Sequence, residues 1–325
     1  MIIRPSRVPL QRLMRLLPAR LRRIRIVQLA ARITGAPYQR IAFQRGRLIG
    51  NIRDGAVAHA LLRGVFADYG YFELADRLLA PGDTHVDVGA NYGFHTFGLL
   101  ESLVGAAIRY LLIDANPDCV ACLRASAGLH PAFRMEIVQL AAAAESGTLA
   151  FRFAPAATGE GHVGGTSADG EIGIAVPAAP LDQVLDERGV DAIGLLKMDI
   201  EGSEPGALRG LARRLSAHRV KFIYFEVNPD ALARQGADPA ALFREVTRHG
   251  YRLFWPHDDT AWIARTYGLG DDEANTRWPR FVLRGSRPHP VIAFDPARYR
   301  QGRFGQCDLL AVSPDCRVEN VSSAI

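Results

Sequence analysis

Short apolar runs alternate along most of this chain with stretches in which apolar residues recur every three or four positions. "AVAHALLRGVFADYGYFELADRLL", residues 56–79, has helical periodicity broken by a glycine, and "PGDTHVDVG" then supplies a turn and a short buried strand. A helix is predicted from about Tyr92 to Leu103, followed by a second strand in "AIRYLLIDANP", a helix through Cys122 and Leu123, and a third strand in "MEIVQLAAA". "VDAIGLLKMDIEGSE" and "VKFIYFEVNPD" read as a fourth and a fifth strand, with a helix from about Asp238 to His249 and then "YRLFW". Two β-like runs, "GTLAFRFA" and "EIGIAVPAA", flank a glycine-rich stretch over residues 159–171 that reads as a long loop. The last 70 residues are rich in aromatics and arginine at irregular spacing, and "CDLLAVSP" reads as a final strand. Strands alternating with helices at this rhythm predict an α/β fold with a doubly wound, mostly parallel sheet, whose ligand crevice lies at the carboxyl ends of the strands.

Composition narrows the class. With 325 residues, 48% apolar and 22% charged, the chain can bury a large core. Four cysteines, Cys119, Cys122, Cys307 and Cys316, are too scattered for a disulfide framework, and no secretory leader is read, so a reducing cytoplasm is expected. Cys119 and Cys122 form a C-x-x-C at the start of a predicted helix, where packing is favoured over redox or metal chemistry because no second pair completes a ligand set. Charge is uneven. Twelve of the 39 basic side chains lie in residues 1–50, which contain no Asp or Glu, leaving 27 basic against 34 acidic in the rest. In "QRLMRLLPARLRRIRIVQLAARI" leucines and isoleucines recur at roughly helical spacing between arginines, interrupted by Pro18, which suits a helix lying on an anionic membrane surface or docked on the body. No apolar run is long enough to span a bilayer.

The first strand runs into a glycine-spaced turn in "THVDVGANYGFHTFGLL", residues 84–100, the arrangement of a cofactor loop. Counting from Gly89, a dinucleotide fingerprint would need glycine at its third and sixth positions, which are Asn91 and Phe94. A P-loop would need a lysine after the turn, and Lys197 and Lys221 are the only two in the chain. Asp114 ends the second strand, 25 residues after Gly89, where a carboxylate can accept hydrogen bonds from both ribose hydroxyls. An adenosine without phosphates fits, and S-adenosylmethionine is such a ligand. Gly89, Ala90, Asn91 and Gly93 would form its turn, with Asp87 near the cationic sulfonium end and Leu140 and Ala141 flanking the adenine.

"VDVGANYGFHT", "LLIDANP", "LDQVL" and above all "LLKMDIEGSEPGALRG" resemble the FkbM family of S-adenosylmethionine-dependent methyltransferases over about residues 80–230, with "LLAVSP" echoing the closing strand. Asp114 stands where Glu is commoner in that family, shortening the ribose contact at the same charge. The resemblance implies the class I methyltransferase (Rossmann-like) fold with a seven-stranded sheet, and methyl transfer to a hydroxyl, often on a sugar or natural product. The expected organisation is a basic amphipathic extension over residues 1–50, a helical segment over 51–80, a cofactor-binding core over 81–250, and a C-terminal segment over 251–325 that completes the sheet and shapes the acceptor pocket. That segment includes Trp255, His257, Trp262 and Trp278, aromatics that could stack on a sugar ring or pack in the core.

Transfer to a sugar hydroxyl calls for alignment and for a base. Lys197, Asp199 and Glu201 have period-two spacing, which puts them on one face if the strand continues, and Glu204 follows. Asp199 or Glu201 could serve as base, hold a cation or brace the loop, with Lys197 pairing one of them; a purely structural ion-pair network is the plain alternative. His95 is a second base candidate against a packed or capping role, and Glu226 faces the same crevice. No metal requirement is expected, since carboxylates alone suit magnesium or calcium weakly. Two rival functions compete with this one. A nucleic-acid methyltransferase would hold phosphates with the basic segment, but "KMDIEG" occupies the place where Asn/Asp-Pro-Pro-aromatic would stack a flipped base. A scaffold that has lost activity fits poorly with an intact cofactor loop beside a charged cluster.

Overall fold

Residues 3, 5–6, 10–16, 24–43, 46–66, 69–100, 107–164, 170–257, 280–296 and 306–320 are described by the computed structural model; Trp262 and Trp278 lie outside them. Ten of the described strands form one mixed sheet: β1 (Thr84–Val88), β2 (Arg109–Asp114), β3 (Arg134–Gln139), β4 (Ile193–Met198), β5 (Val220–Val227), β6 (Arg252–Trp255), β7 (Arg280–Arg284), β8 (Pro288–Ala293), β9 (Cys307–Val312) and β10 (Val318–Asn320). Their order is β10-β7-β8-β6-β9-β5-β4-β1-β2-β3. From β3 to β5 every pairing is parallel, and β9 inserts antiparallel between β5 and β6. The chain order reverses between β1 and β4, so the crevice expected of a doubly wound sheet opens at their carboxyl ends.

Both faces of the sheet are covered, which is why β1 and β4 are buried at every residue, the polar His85, Asp87 and Lys197 included. Alternation assigns each strand residue to one of two cores. Leu196, Met198, Ile223 and Phe225 pack with Leu185, Leu208, Leu242 and Phe243 from helices on one face. Leu195, Phe222, Tyr224 and Leu112 pack on the other with Tyr71, Phe72, Phe97 and Leu123. Trp255, a candidate for an acceptor pocket, is instead buried against Phe294.

Four expectations change. The sheet exceeds seven strands because β7, β8 and β10 extend it beyond β6. Pro288 and Pro290 hid this extension. Their missing N–H groups are tolerated because that half of β8 pairs only with β7, while β6 reaches Ile292 and Ala293. Second, the predicted helix over Tyr92–Leu103 is observed as Phe94–Leu99, entered through Gly93 at φ 82°; residues 101–106 lie outside the described set. Third, the N-terminal extension is not helical throughout. Helices Leu10–Leu16 and Ile24–Thr34 lead into an antiparallel hairpin of Tyr38–Phe43 and Gly46–Asn51, which crosses the expected boundary at residue 50. Ile41, Phe43 and Leu48 join the core of the body, while inward Gln39 and outward Ala42 break the apolar–polar alternation.

The fourth change bears on function. Part of the glycine-rich stretch is a strand, Ala157–Val163, paired with Gly147–Ala154 so that Phe151 faces Val163 and Arg152 faces His162. With Ile172–Ala179 and the short Ala141–Ala142 these strands make a second sheet. Partner strands supply the hydrogen bonds here, and glycine leaves room for Phe151, whose ring a Cβ on Gly161 would approach to 2.7 Å.

Candidate functional site

The turn after β1 is shaped by neighbouring chain before any ligand. Gly89 has φ 77°, and a Cβ there would stand 1.8 Å from the Asp199 carbonyl oxygen, so the turns after β1 and β4 can touch only if this residue is glycine. Gly93 likewise has φ 82°, with the Phe97 ring where a Cβ would go. Ala90 is buried, and its N–H, like that of Gly89, donates to the Ile113 carbonyl. Asn91, at φ 50°, donates its backbone N–H to Asp114 Oδ2 at 2.6 Å. Its side-chain Oδ1 accepts from Thr158 Oγ1 at 3.0 Å and from Cys119 Sγ at 3.3 Å. Cys119 and Cys122 are buried, with thiols pushed up by burial, as packing residues would be.

A cleft with about 600 Å³ of empty space, part of it open to solvent, lies beside this turn. Among the expected site residues Gly89, Asn91, Asp114, Leu140, Ala141 and Asp199 line it. Asp114 is buried, and burial pushes its carboxyl up to about 6 despite hydrogen bonds from the Asn116 and Asn91 N–H groups. Across the cleft stand Phe151, Thr158 and His162 from the small sheet, which sequence reasoning missed; the apolar alternation of "GTLAFRFA" was the available signal. Among the described residues no Lys or Arg lines the cleft.

Asp87, Ala90, Gly93, Lys197, Glu201 and His95 are not on its wall. Asp87 was expected near a sulfonium, but it is fully buried behind the turn. Its Oδ2 accepts from Thr96 Oγ1 at 2.8 Å, and its Oδ1 lies 3.2 Å from Lys197 Nζ. Burial pushes the Asp87 carboxyl up, yet Lys197, His85, His95 and the Thr96 hydrogen bond together outweigh it and hold the group below the usual range. Lys197 is itself buried, donates to the Gly89 carbonyl at 2.8 Å and lies 3.6 Å from Asp199 Oδ2; the two carboxylates keep it charged against the cost of burial. It braces the turn from behind. His95 is also away from the cleft, edge-on to Tyr71 at 4.8 Å and to Phe66 at 5.0 Å.

The period-two argument for Glu201 fails because β4 ends at Met198 and Glu201 turns over at φ 52°. Its carboxylate meets Asn228 Nδ2 at 3.3 Å and Arg234 at 3.7 Å, and burial followed by the Asp199 charge pushes it up to about 7. Glu226, ending β5, accepts from Gln306 Nε2 and is pushed well above the ordinary range by burial and by Asp199 and Glu201. Oxygens of Asp199, Glu201 and Glu226 all lie within 4.8 Å of one another. Such a trio must either share protons or hold a cation, because like charges at that spacing repel. Glu204 is separate: buried and pushed up to about 7 by burial, it accepts from the Ile200 N–H at 2.9 Å and fastens the turn.

Comparison with known proteins matches residues 87–253 to the Methyltransferase FkbM domain family. The chain is 31% identical over 196 residues to 31-O-demethyl-FK506 methyltransferase FkbM of Streptomyces tacrolimicus, covering 51% of this chain and 73% of that one. Among solved structures, methyltransferase FkbM from Methylobacillus flagellatus KT aligns at 19% identity and a TM-score of 0.34 over 74% of this chain and 53% of that one. An O-methyltransferase from Bacillus cereus in complex with SAH aligns at 12% identity and a TM-score of 0.33, over 77% and 82% of the two chains.

A bracing role for Lys197 is separable from a catalytic one. Lys197→Met and Asp87→Asn should each lower the unfolding free energy by about 3 kcal/mol in urea titrations, since each strands the partner's buried polar group. The double variant should lose clearly less than the sum. Additive losses, or a Lys197→Met variant as stable as the parent, would remove the brace.

Proposed function

Because the chain belongs to the FkbM methyltransferase family, we propose that it transfers the methyl group of S-adenosylmethionine to a hydroxyl oxygen of a sugar, glycan or glycosylated natural product. The observation that carries the donor assignment is Asp114. Its buried carboxylate sits on the cleft wall, oriented by two backbone N–H groups, with acceptor capacity left for ribose hydroxyls. A wall whose described residues include no Lys or Arg suits an adenosine without phosphates, and acidic Asp114 and Asp199 suit a ligand carrying a cation. Leu140 and Ala141 offer an apolar surface to a base. When bound, the donor supplies an electrophilic methyl, and the protein's part is alignment, exclusion of water and removal of the hydroxyl proton.

For that proton we favour the carboxylate trio. Asp199 reaches the cleft, and Glu201, at about 7, has the affinity for a proton that a base working near neutrality needs. This reading gives a metal no role. We read the protein as cytoplasmic, touching the inner face of the membrane through residues 1–50, whose twelve arginines have no acid among them. No described helix is long and apolar enough to cross a membrane.

Titration calorimetry with S-adenosylhomocysteine tests the donor site. Asp114→Ala should bind at least about tenfold more weakly than the parent, roughly 1.4 kcal/mol. Parental affinity should also fall as pH drops through about 6, because protonation of Asp114 removes part of its acceptor capacity. Unchanged binding by a folded Asp114→Ala variant would exclude the ribose assignment. With an acceptor found by screening sugar-bearing compounds, Asp199→Asn and Glu201→Gln should lower kcat on the order of 100-fold with donor affinity retained. Chelator should leave the rate unchanged; a loss restored by magnesium would reassign the trio to a cation.

A further inference from the structure

Away from the cleft, a groove with about 1270 Å³ of empty space runs between helix Leu10–Leu16 and the N-terminal hairpin. It is built, not incidental. The Gln11 side chain donates to the Ala42 carbonyl at 2.7 Å and accepts from the Ala42 N–H at 2.9 Å, tying helix to strand. His130 Nε2 fixes the Arg47 carbonyl at 2.8 Å, and the Ser6 N–H meets the Tyr38 carbonyl at 2.8 Å. Arg12, Arg40 and Arg47 line the groove, the last two on the outward face of the hairpin.

None of these three guanidinium groups meets a carboxylate among the described residues, and residues 1–50 contain no acid to supply one. Elsewhere arginines such as Arg109 and Arg214 are paired. The neighbouring surface carries exposed aliphatic side chains. Helix Ile24–Thr34 buries Val27 and Ala31 and turns Arg25, Leu29, Arg32 and Ile33 to solvent, with Leu29 54% and Ile33 76% exposed. Leu13, beside Arg12, is 47% exposed. Both helices pack on the helix Gly55–Arg63, so groove and aliphatic face share one support.

Resting on the peripheral reading, we propose that this groove binds the phosphate of an anionic lipid headgroup and so docks the N-terminal segment on a membrane surface. Arginines match phosphate oxygens in charge and geometry, and leucine or isoleucine between arginines is satisfied where headgroups meet acyl chains. A nucleic acid would be served by exposed aromatics that stack on bases, whereas the exposed apolar groups of these helices are aliphatic. A free phosphate would gain nothing from Leu29 or Ile33.

Co-sedimentation with vesicles tests this, using phosphatidylglycerol mixed into phosphatidylcholine against phosphatidylcholine alone, with S-adenosylhomocysteine binding confirming that each variant is folded. The parent should bind the anionic vesicles only, and less at about 0.5 M than at about 0.1 M salt. Arg12→Ala/Arg40→Ala/Arg47→Ala should weaken partitioning on the order of a hundredfold, and the corresponding triple Lys variant should keep most of it. If the triple Ala variant binds like the parent while Leu29→Ser/Ile33→Ser does not, the groove assignment is overturned and the peripheral contact stands. If the parent ignores anionic vesicles, both fall. Retention of RNA or inorganic phosphate by the groove arginines without vesicle binding overturns the lipid assignment.

Discussion

A single buried ammonium group holds the cleft in shape. Lys197 Nζ sits between the Asp87 carboxylate, the Gly89 carbonyl and Asp199, joining the last residues of β1 and β4 to the turns that follow them. Burying a lysine is costly unless it is paired, and the pairing here is met from three directions. Asp87 is spent on this task and so does not reach the ligand. The next carboxylate along the sheet edge, Asp114, is left with buried oxygens facing the cleft.

The acidic trio poses the opposite problem. Asp199, Glu201 and Glu226 have fewer cations than charges: Lys197 serves Asp199 from behind, and Arg234 reaches Glu201 from the far side. Burial first, and the neighbouring carboxylates after it, make Glu201 and Glu226 hold their protons more tightly than isolated carboxyls. Glu204 is equally raised but stands apart from the trio, accepting from the backbone N–H of Ile200 and so fastening the turn.

Much of this was legible beforehand, and the misses have physical causes. Apolar runs marked β2, β4 and β5, which are covered on both faces, while β1 and β3 were marked by shorter apolar stretches and by their place between helices. Asp114, Leu140 and Ala141 were legible because the ends of consecutive parallel strands share one edge. Side-chain direction was not. Whether Asp87 faces ligand or lysine depends on Lys197, 110 residues later, and whether Glu201 stays in phase depends on where β4 stops. Thr158 and His162 were hidden because a strand containing Gly159 and Gly161 has little intrinsic preference for its shape and takes it from partners.

Gly89 lies so close to Asp199 that no side-chain carbon fits between them. The turns after β1 and β4 are thus in hard contact, backbone against backbone. A side chain at position 89 could enter only by parting the ends of β1 and β4, against the Lys197 ammonium that draws Asp87 and Asp199 together.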